Sequence, residues 1–205
     1  MSASPLSRHA GPIALSTGSL LVVAQLILVL TYDASDRIAT LTDPAYLVGG
    51  IVYFVAFCAL LVTLVAAYDR QAHAAGRLGL VGFIAAIVGT MFLAGDLWFE
   101  SFAVPWLGDV APDVLTHVGG LLMVGGFSSY VLFAVGWALF GLASLRARVF
   151  PVAVSAALLA GGVIGFLALL PPFGLPLGLA VTWLGVWLVR GPASEPRAAG
   201  ALAPS

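Results

Sequence analysis

The sequence has no lysine, one cysteine and very little charge of either sign. Only 8% of its 205 residues are charged, whereas a typical soluble domain is about 25% charged. The single cysteine excludes an internal disulfide, and the absence of any run of basic residues excludes a nucleic-acid-binding surface. Because 61% of the residues are hydrophobic, the composition excludes a disordered chain and predicts an integral membrane protein whose partner is the lipid bilayer.

Motifs of known chemistry are also missing. The chain contains no G-x-S-x-G, no P-loop, no H-E-x-x-H and no G-x-G-x-x-G before a strand. We therefore predict no cofactor and no metal, and any reaction must depend on individual residues.

Six hydrophobic runs are about 20 residues long, the length that crosses a bilayer as a helix. They predict an all-α polytopic bundle of six transmembrane helices in one domain over residues 1–190, followed by a disordered cytoplasmic tail at 191–205. The runs are Pro12–Thr31, Tyr46–Ala67, Leu78–Leu97, His117–Leu145, Val149–Leu170 and Phe173–Val189. Prolines near the start of the sixth run predict a tight turn over Leu167–Leu177.

Arginine is distributed unequally between the connections. Seven of the eight arginines fall on one side of the predicted membrane, and Arg37 alone falls on the other. The seven are Arg8, Arg70, Arg77, Arg146, Arg148, Arg190 and Arg197. Because basic residues stay on the cytoplasmic side, both termini are predicted to be cytoplasmic, in a bacterial plasma membrane.

The third run has two different faces at 100° per residue. One face is formed by small residues and ends in Asp96 and Glu100, and it is expected to pack inside the bundle. The opposite face is bulky and is expected to meet lipid; it carries Leu80, Ile84, Ile87, Val88, Met91 and Trp98.

The candidate catalytic residues are Asp96, Glu100 and His117, all near the predicted outer boundary. Two carboxylates one helical turn apart repel when both are ionised, so one is expected to hold its proton and donate it to a substrate. His117 is a possible partner. Two alternatives stay open: a structural role, in which Asp96 or Glu100 pairs with Arg37 or reaches interfacial water, and a metal site formed by the three candidates.

Two further features of the sequence are a polar residue within a hydrophobic run and a long connection between two runs. Gln25 lies near the middle of the first run, so its amide needs an interhelical hydrogen bond, for which Ser128 is a candidate. The connection Ser101–Thr116 is expected to be either an interfacial lid over the outer face or a plain loop.

The stretches GDLWFESFAVPWLGDVAPDVL, LFAVGWALFGLASLRARVFP and PPFGLPLGLAVTWLG resemble small multi-pass membrane proteins of high-GC actinobacteria, over about residues 90–190. That group is uncharacterised, so the resemblance implies a location but no activity. In short length, many spans and membrane-level carboxylates, the chain is also similar in gross terms to small membrane-bound terpene cyclases.

Three functions are compatible with these features. The first is a membrane enzyme that acts on a lipophilic prenyl, terpenoid or lipid substrate by carboxylic-acid proton transfer. The second is a non-catalytic structural or accessory protein. The third is a small transporter subunit, which needs a continuous polar path through the bundle.

Overall fold

A computed structural model describes residues 9–116 and 119–191, without the side chains of residues 37, 38 and 116. These residues are helical or in short connections, which confirms the all-α class. Three helical segments are long and apolar enough to cross a membrane, namely Ala10–Thr31, Pro44–Val110 and Gly120–Ala147. Two shorter apolar segments follow, at Val152–Leu167 and Leu175–Arg190. The predicted tail lies beyond the described residues, apart from residue 191.

Eight α-helices, one π-helix and one 3-10 helix make up the described part of the chain. In order they are α1 (Ala10–Thr31), α2 (Arg37–Thr42), α3 (Pro44–Trp98), the π-helix (Phe99–Ala103), α4 (Val104–Val110), α5 (Pro112–Thr116), α6 (Gly120–Ala147), α7 (Val152–Ile164), the 3-10 helix (Gly165–Leu167) and α8 (Leu175–Arg190). The expectation of a plain loop over Ser101–Thr116 was wrong, since most of that segment is helical.

Helix α3 folds back on itself at Gly76, where φ is 57° and ψ is −150°. A residue with a Cβ rarely adopts this conformation, whereas glycine adopts it at little cost. The ring centroids of Tyr68 and Phe83 lie 4.1 Å apart, although these residues would be about 22 Å apart along a straight helix. Phe54 and Phe102 also meet, at 6.2 Å. The two halves, α3a (44–75) and α3b (77–98), therefore form an antiparallel hairpin.

The other neighbouring long helices are antiparallel as well. In α1, Gly11 lies against Val189 of α8 and Gly18 lies against Thr182, so residue numbers rise on one helix as they fall on the other. The same relation holds between α3b and α6 and between α6 and α7. Consequently the described arginines outside α2 gather at one end of the bundle, which we call the inner end. They are Arg70, Arg77, Arg146, Arg148 and Arg190.

The small face of the third run is buried as predicted, but Ile87 and Val88, which were expected to meet lipid, are only partly exposed, and Ile87 packs against the core. Gly82, Ala86, Gly89 and Leu93 of α3b are buried. Its large hydrophobic residues that are exposed include Leu80, Ile84, Met91 and Trp98. The small face buries because Gly82 and Gly89 let the α6 backbone approach closely.

The connection between α7 and α8 is partly buried, and its Leu169 lies beside Leu28 and Leu97, near the outer ends of α1 and α3b. At 13 and 16 residues, these helices are about 20 and 24 Å long, less than the roughly 30 Å of a hydrocarbon core. Ala168, Leu169 and Gly174 of the connection are buried. Irregular backbone at this depth is tolerated only where protein or a cavity surrounds it.

Candidate functional site

Asp96 lies near the outer end of α3b, facing α6. Its carboxyl group is within hydrogen-bonding reach of the Ser129 hydroxyl of α6. Its Oδ2 atom is buried and has no hydrogen-bond partner among the described residues, although the residue as a whole is only partly buried. A carboxyl oxygen held away from water in this way is costly unless it is protonated or paired.

The two helices separate at the level of Asp96. Below it they touch, because a Cβ added at Gly82 would lie 2.8 Å from Phe140 N and one added at Gly89 would clash with the Phe133 backbone. Above it, the Cβ position of Gly125, one turn outward from Ser129 on α6, has no neighbour within 4 Å. Asp96 and Ser129 therefore form the floor of an opening between α3b and α6, which we call the crevice.

The Ser129 hydroxyl has one proton and two possible acceptors. It donates to the Gly125 carbonyl at 3.1 Å, and the Asp96 carboxyl group lies beside it. While Ser129 donates to Gly125, a hydrogen bond with Asp96 requires the proton to be on Asp96. If Asp96 is ionised, the hydroxyl can turn to donate to it. Asp96 and Ser129 therefore have one hydrogen-bonded arrangement when Asp96 is protonated and another when Asp96 is ionised.

Glu100 lies in the π-helix and lines a different cleft. This cleft, which we call the vestibule, is bordered by α1, α3a and the α7–α8 connection, and it has room for about one water molecule. Its lining includes Leu28, Tyr46, Gly50, Glu100, Ser101 and Leu169. Asp96 faces α6, whereas Glu100 faces the vestibule. The expected repulsion between the two carboxyl groups, which would keep one of them protonated, therefore stays a prediction. π-Helical turns often occur at functional sites.

The third candidate, His117, lies outside the described residues, as does the side chain of Arg37. The ion pair with Arg37 and the metal site that included His117 therefore stay untested. Within residues 9–116 and 119–191, no group of three or more His, Cys, Asp or Glu side chains could hold a metal ion.

Gln25 has a partner that the sequence did not indicate. Its Nε2 donates to the Ala168 carbonyl of the α7–α8 connection at 2.9 Å, and the Tyr53 hydroxyl donates to the same oxygen at 2.9 Å. Ser128 instead donates to Gly125 O, so its suggested pairing with Gln25 was wrong. We call Gln25, Tyr53 and the Ala168 carbonyl the polar node. A phenol in the middle of an apolar run was the signal for Tyr53 that sequence reasoning passed over.

Two other sets of polar groups in the bundle are satisfied in separate pairs, whereas both amide atoms of Gln71 and the Ser155 hydroxyl are buried without a hydrogen-bond partner among the described residues. Thr63 donates to Thr17 at 2.9 Å, and Trp137 Nε1 donates to Thr90 at 3.0 Å. Each of these two pairs joins neighbouring helices, as interhelical hydrogen bonds commonly do in membranes. This arrangement favours a packing role for these residues over a continuous polar path.

Comparison with known proteins gives no relative. No family model, no curated protein and no solved structure matches this chain.

Proposed function

We propose that this chain is a membrane protein with six membrane-embedded helices and both termini on the cytoplasmic side. The support is the antiparallel succession of α1, α3a, α3b, α6, α7 and α8 and the collection of arginine at the inner end. The short α7 and α8 would enter from the inner side and meet at the buried connection. Membranes accommodate short helices by local thinning.

Single cysteines in a Cys58→Ser background test this topology. Asp109→Cys is expected to react with an impermeant maleimide in intact cells, whereas Arg77→Cys should react only after the membrane is permeabilised. The positive-inside distribution is the reason for this order. Equal reaction of both positions in intact cells would contradict the topology.

We further propose that Asp96 is the acid of a membrane enzyme that acts on a lipophilic substrate. The observation that carries the proposal is the buried, unpartnered Oδ2 at the floor of the crevice, beside a hydroxyl that can serve either protonation state. The O–H bond of Asp96 would break as the electron pair of a substrate C=C π bond forms the new C–H bond, which leaves the positive charge on the adjacent carbon. Ser129 would then turn to donate to the new carboxylate.

Helices α3b and α6 carry exposed apolar side chains near the level of Asp96, which favours a lipophilic substrate. Phe92 of α3b is 49% exposed, and Met123 and Phe127 of α6 are 63% and 60% exposed. An acyl or prenyl chain could enter sideways from the membrane and reach Asp96 without crossing water. Glu100 lines the vestibule and His117 lies outside the described residues, so this proposal depends on Asp96 alone.

Carboxyl-specific labelling in proteoliposomes tests the acid. A lipophilic carbodiimide, which reacts with protonated carboxyl groups from the membrane phase, is expected to modify Asp96 in the wild type and not in Asp96→Asn. Asp109→Asn, which changes an exposed outer carboxyl group, is the matched control and should leave the labelling at Asp96 intact. A water-soluble carbodiimide should show the reverse preference.

The proposal is wrong if peptide mapping finds lipophilic label on Asp109 but none on Asp96. A prenol carrying a photoreactive group tests the substrate class separately, since its cross-links should map to α3b and the first turns of α6. Cross-links that are spread over all exposed helices would contradict a crevice site.

A non-catalytic structural role is the second candidate, and one observation favours it. The helices are in backbone contact over much of their length, and the vestibule admits only about one water molecule. In that case Asp96→Asn would leave the protein folded, and the photoreactive prenol would not be captured at the crevice.

A further inference from the structure

The exposed apolar face of α3b continues into the π-helix and α4. Ile84, Met91 and Trp98 lie seven residues apart on that face and are exposed, and the backbone stays helical from Trp98 to Val110. Large apolar side chains that are 44–62% exposed recur at every fourth position beyond this point. They are Trp98, Phe102, Trp106 and Val110, and we call them the outer stripe.

Another side of this segment is held against the protein. Ser101 and Val104 are buried. The Cβ position of Gly108 lies 3.3 Å from the methyl group of Thr42, at the end of α2. The segment is therefore fixed to the outer end of the bundle by one side, and this contact leaves the outer stripe exposed.

Helix length places the outer stripe at the edge of the hydrocarbon. In the proposed topology Arg77 marks the inner boundary, and Trp98 lies 21 residues after it. That separation is about 32 Å along a helix, close to the roughly 30 Å of a hydrocarbon core. Tryptophan is enriched at this boundary, because its ring is apolar and its N–H group is polar.

The charge near the outer stripe favours one kind of headgroup. The sequence has no arginine and no lysine between Arg77 and Arg146. Asp109 is exposed and lies three residues after Trp106 in α4, so the two side chains are neighbours on the helix surface. A carboxylate beside an indole ring attracts an ammonium group and repels an anionic surface.

We propose that the outer stripe is seated at the headgroup–acyl boundary of the outer leaflet, against zwitterionic phospholipids whose ammonium groups meet Trp106 and Asp109. The bilayer, rather than a second copy of the chain, is the partner because the stripe continues the exposed apolar face of the helix that precedes it. The contact would hold the outer end of the bundle at a fixed depth. This inference rests on the proposed topology but not on Asp96.

Quenching by brominated lipids tests the depth of the outer stripe. Trp106→Cys and Val110→Cys, each in the Cys58→Ser background, carry an environment-sensitive fluorophore on the full chain in phosphatidylcholine nanodiscs. Both labels are expected to emit at shorter wavelength than in water, and bromine near the headgroup should quench them more than bromine near the chain end. Ala34→Cys, in the exposed loop after α1, is the matched control and should be quenched only by aqueous iodide.

Two results would overturn the location. The first is quenching of the labels at 106 and 110 by iodide as strong as at Ala34→Cys, and the second is stronger quenching by bromine at the chain ends. Protection that is lost in nanodiscs holding one copy would overturn the choice of partner, because a second copy would then cover the stripe. Nanodiscs expose both sides of the membrane, so this depth is measured independently of the maleimide test of topology.

The headgroup preference has its own test. Replacing phosphatidylcholine by phosphatidylglycerol should move the emission of the Val110→Cys label toward its value in water, because the anionic surface repels Asp109. Adding Asp109→Asn to this variant should reduce that change. Equal emission in the two lipids would overturn the assignment of a zwitterionic headgroup.

Discussion

The inner and outer halves of the α3b–α6 pair are built differently. In the inner half, backbone packs on backbone: Gly82 and Gly89 of α3b and Gly136 of α6 each lie against the facing main chain. In the outer half the same helices separate, and Gly125 of α6 has open space around its Cβ position. The inner half thus gives the bundle its rigidity, and the outer half leaves the openings in which Asp96 and Glu100 lie.

The largest expected effect comes from adding one methyl group to each half. Gly89→Ala would push a Cβ into the Phe133 backbone and should lower the free energy of unfolding by about 3 kcal/mol. Gly125→Ala lies in the outer half of the same helix pair, near the start of α6. It should leave the free energy of unfolding unchanged or raise it by up to about 1 kcal/mol, since alanine is the better helix former. Unfolding in mixed detergent micelles, followed by circular dichroism, measures both. Equal losses of stability in the two variants would contradict the difference in packing between the inner and outer halves.

The next effect concerns the polar node, which holds the α7–α8 connection against α1 and α3a. Tyr53→Phe and Gln25→Leu each remove one donor and leave the Ala168 carbonyl with the other, so each should cost about 1 kcal/mol. The double variant leaves that buried carbonyl without a partner and should cost more than the sum of the single variants.

The same unfolding assay measures this cycle. Tyr32→Phe, at a tyrosine that is 37% exposed, is the control and should change stability by less than about 0.5 kcal/mol. Strict additivity would mean that the carbonyl finds water when both donors are gone, and that the connection is less enclosed than its burial indicates.

Sequence reasoning reached the features that depend on local pattern. Four of the six hydrophobic runs ended within three residues of the observed helices, whereas α3a continues eight residues beyond the predicted Ala67. The position of Gly82 and Gly89 on one face identified the buried side of α3b. Asp96 lies on the face that was predicted to pack inside the bundle, and it is partly buried. These features follow from helical periodicity and from the cost of polar groups in lipid.

The features it missed depend on contacts between distant parts of the chain. Gln25 and Tyr53 meet Ala168 across 143 and 115 residues, and no periodicity relates such positions. The run Val149–Leu170 was long enough to predict a full span, yet α7 ends at Ile164 and the chain turns into a partly buried connection. Where a helix stops short of the membrane boundary is decided by its partners, not by its own hydrophobicity.

The smallest expected effect is a change in the pKa of Asp33, in the loop that follows α1. Local hydrogen bonds between Asp33 and Ser35 are found in this loop. Asp33 Oδ1 accepts hydrogen bonds from Ser35 N at 2.8 Å and from Ser35 Oγ at 2.6 Å, which lower the pKa of Asp33 below its usual value. Because the folded pKa is the lower one, the contribution of Asp33 to stability is present above the unfolded pKa of about 3.9 and is lost as pH falls through the folded value. Carboxyl carbon NMR should show this low titration in the wild type and a rise toward 3.9 in Ser35→Ala. Because Ser35→Ala keeps the backbone N–H donor, an unchanged midpoint in this variant would mean that the Ser35 Oγ hydrogen bond does not lower the pKa of Asp33.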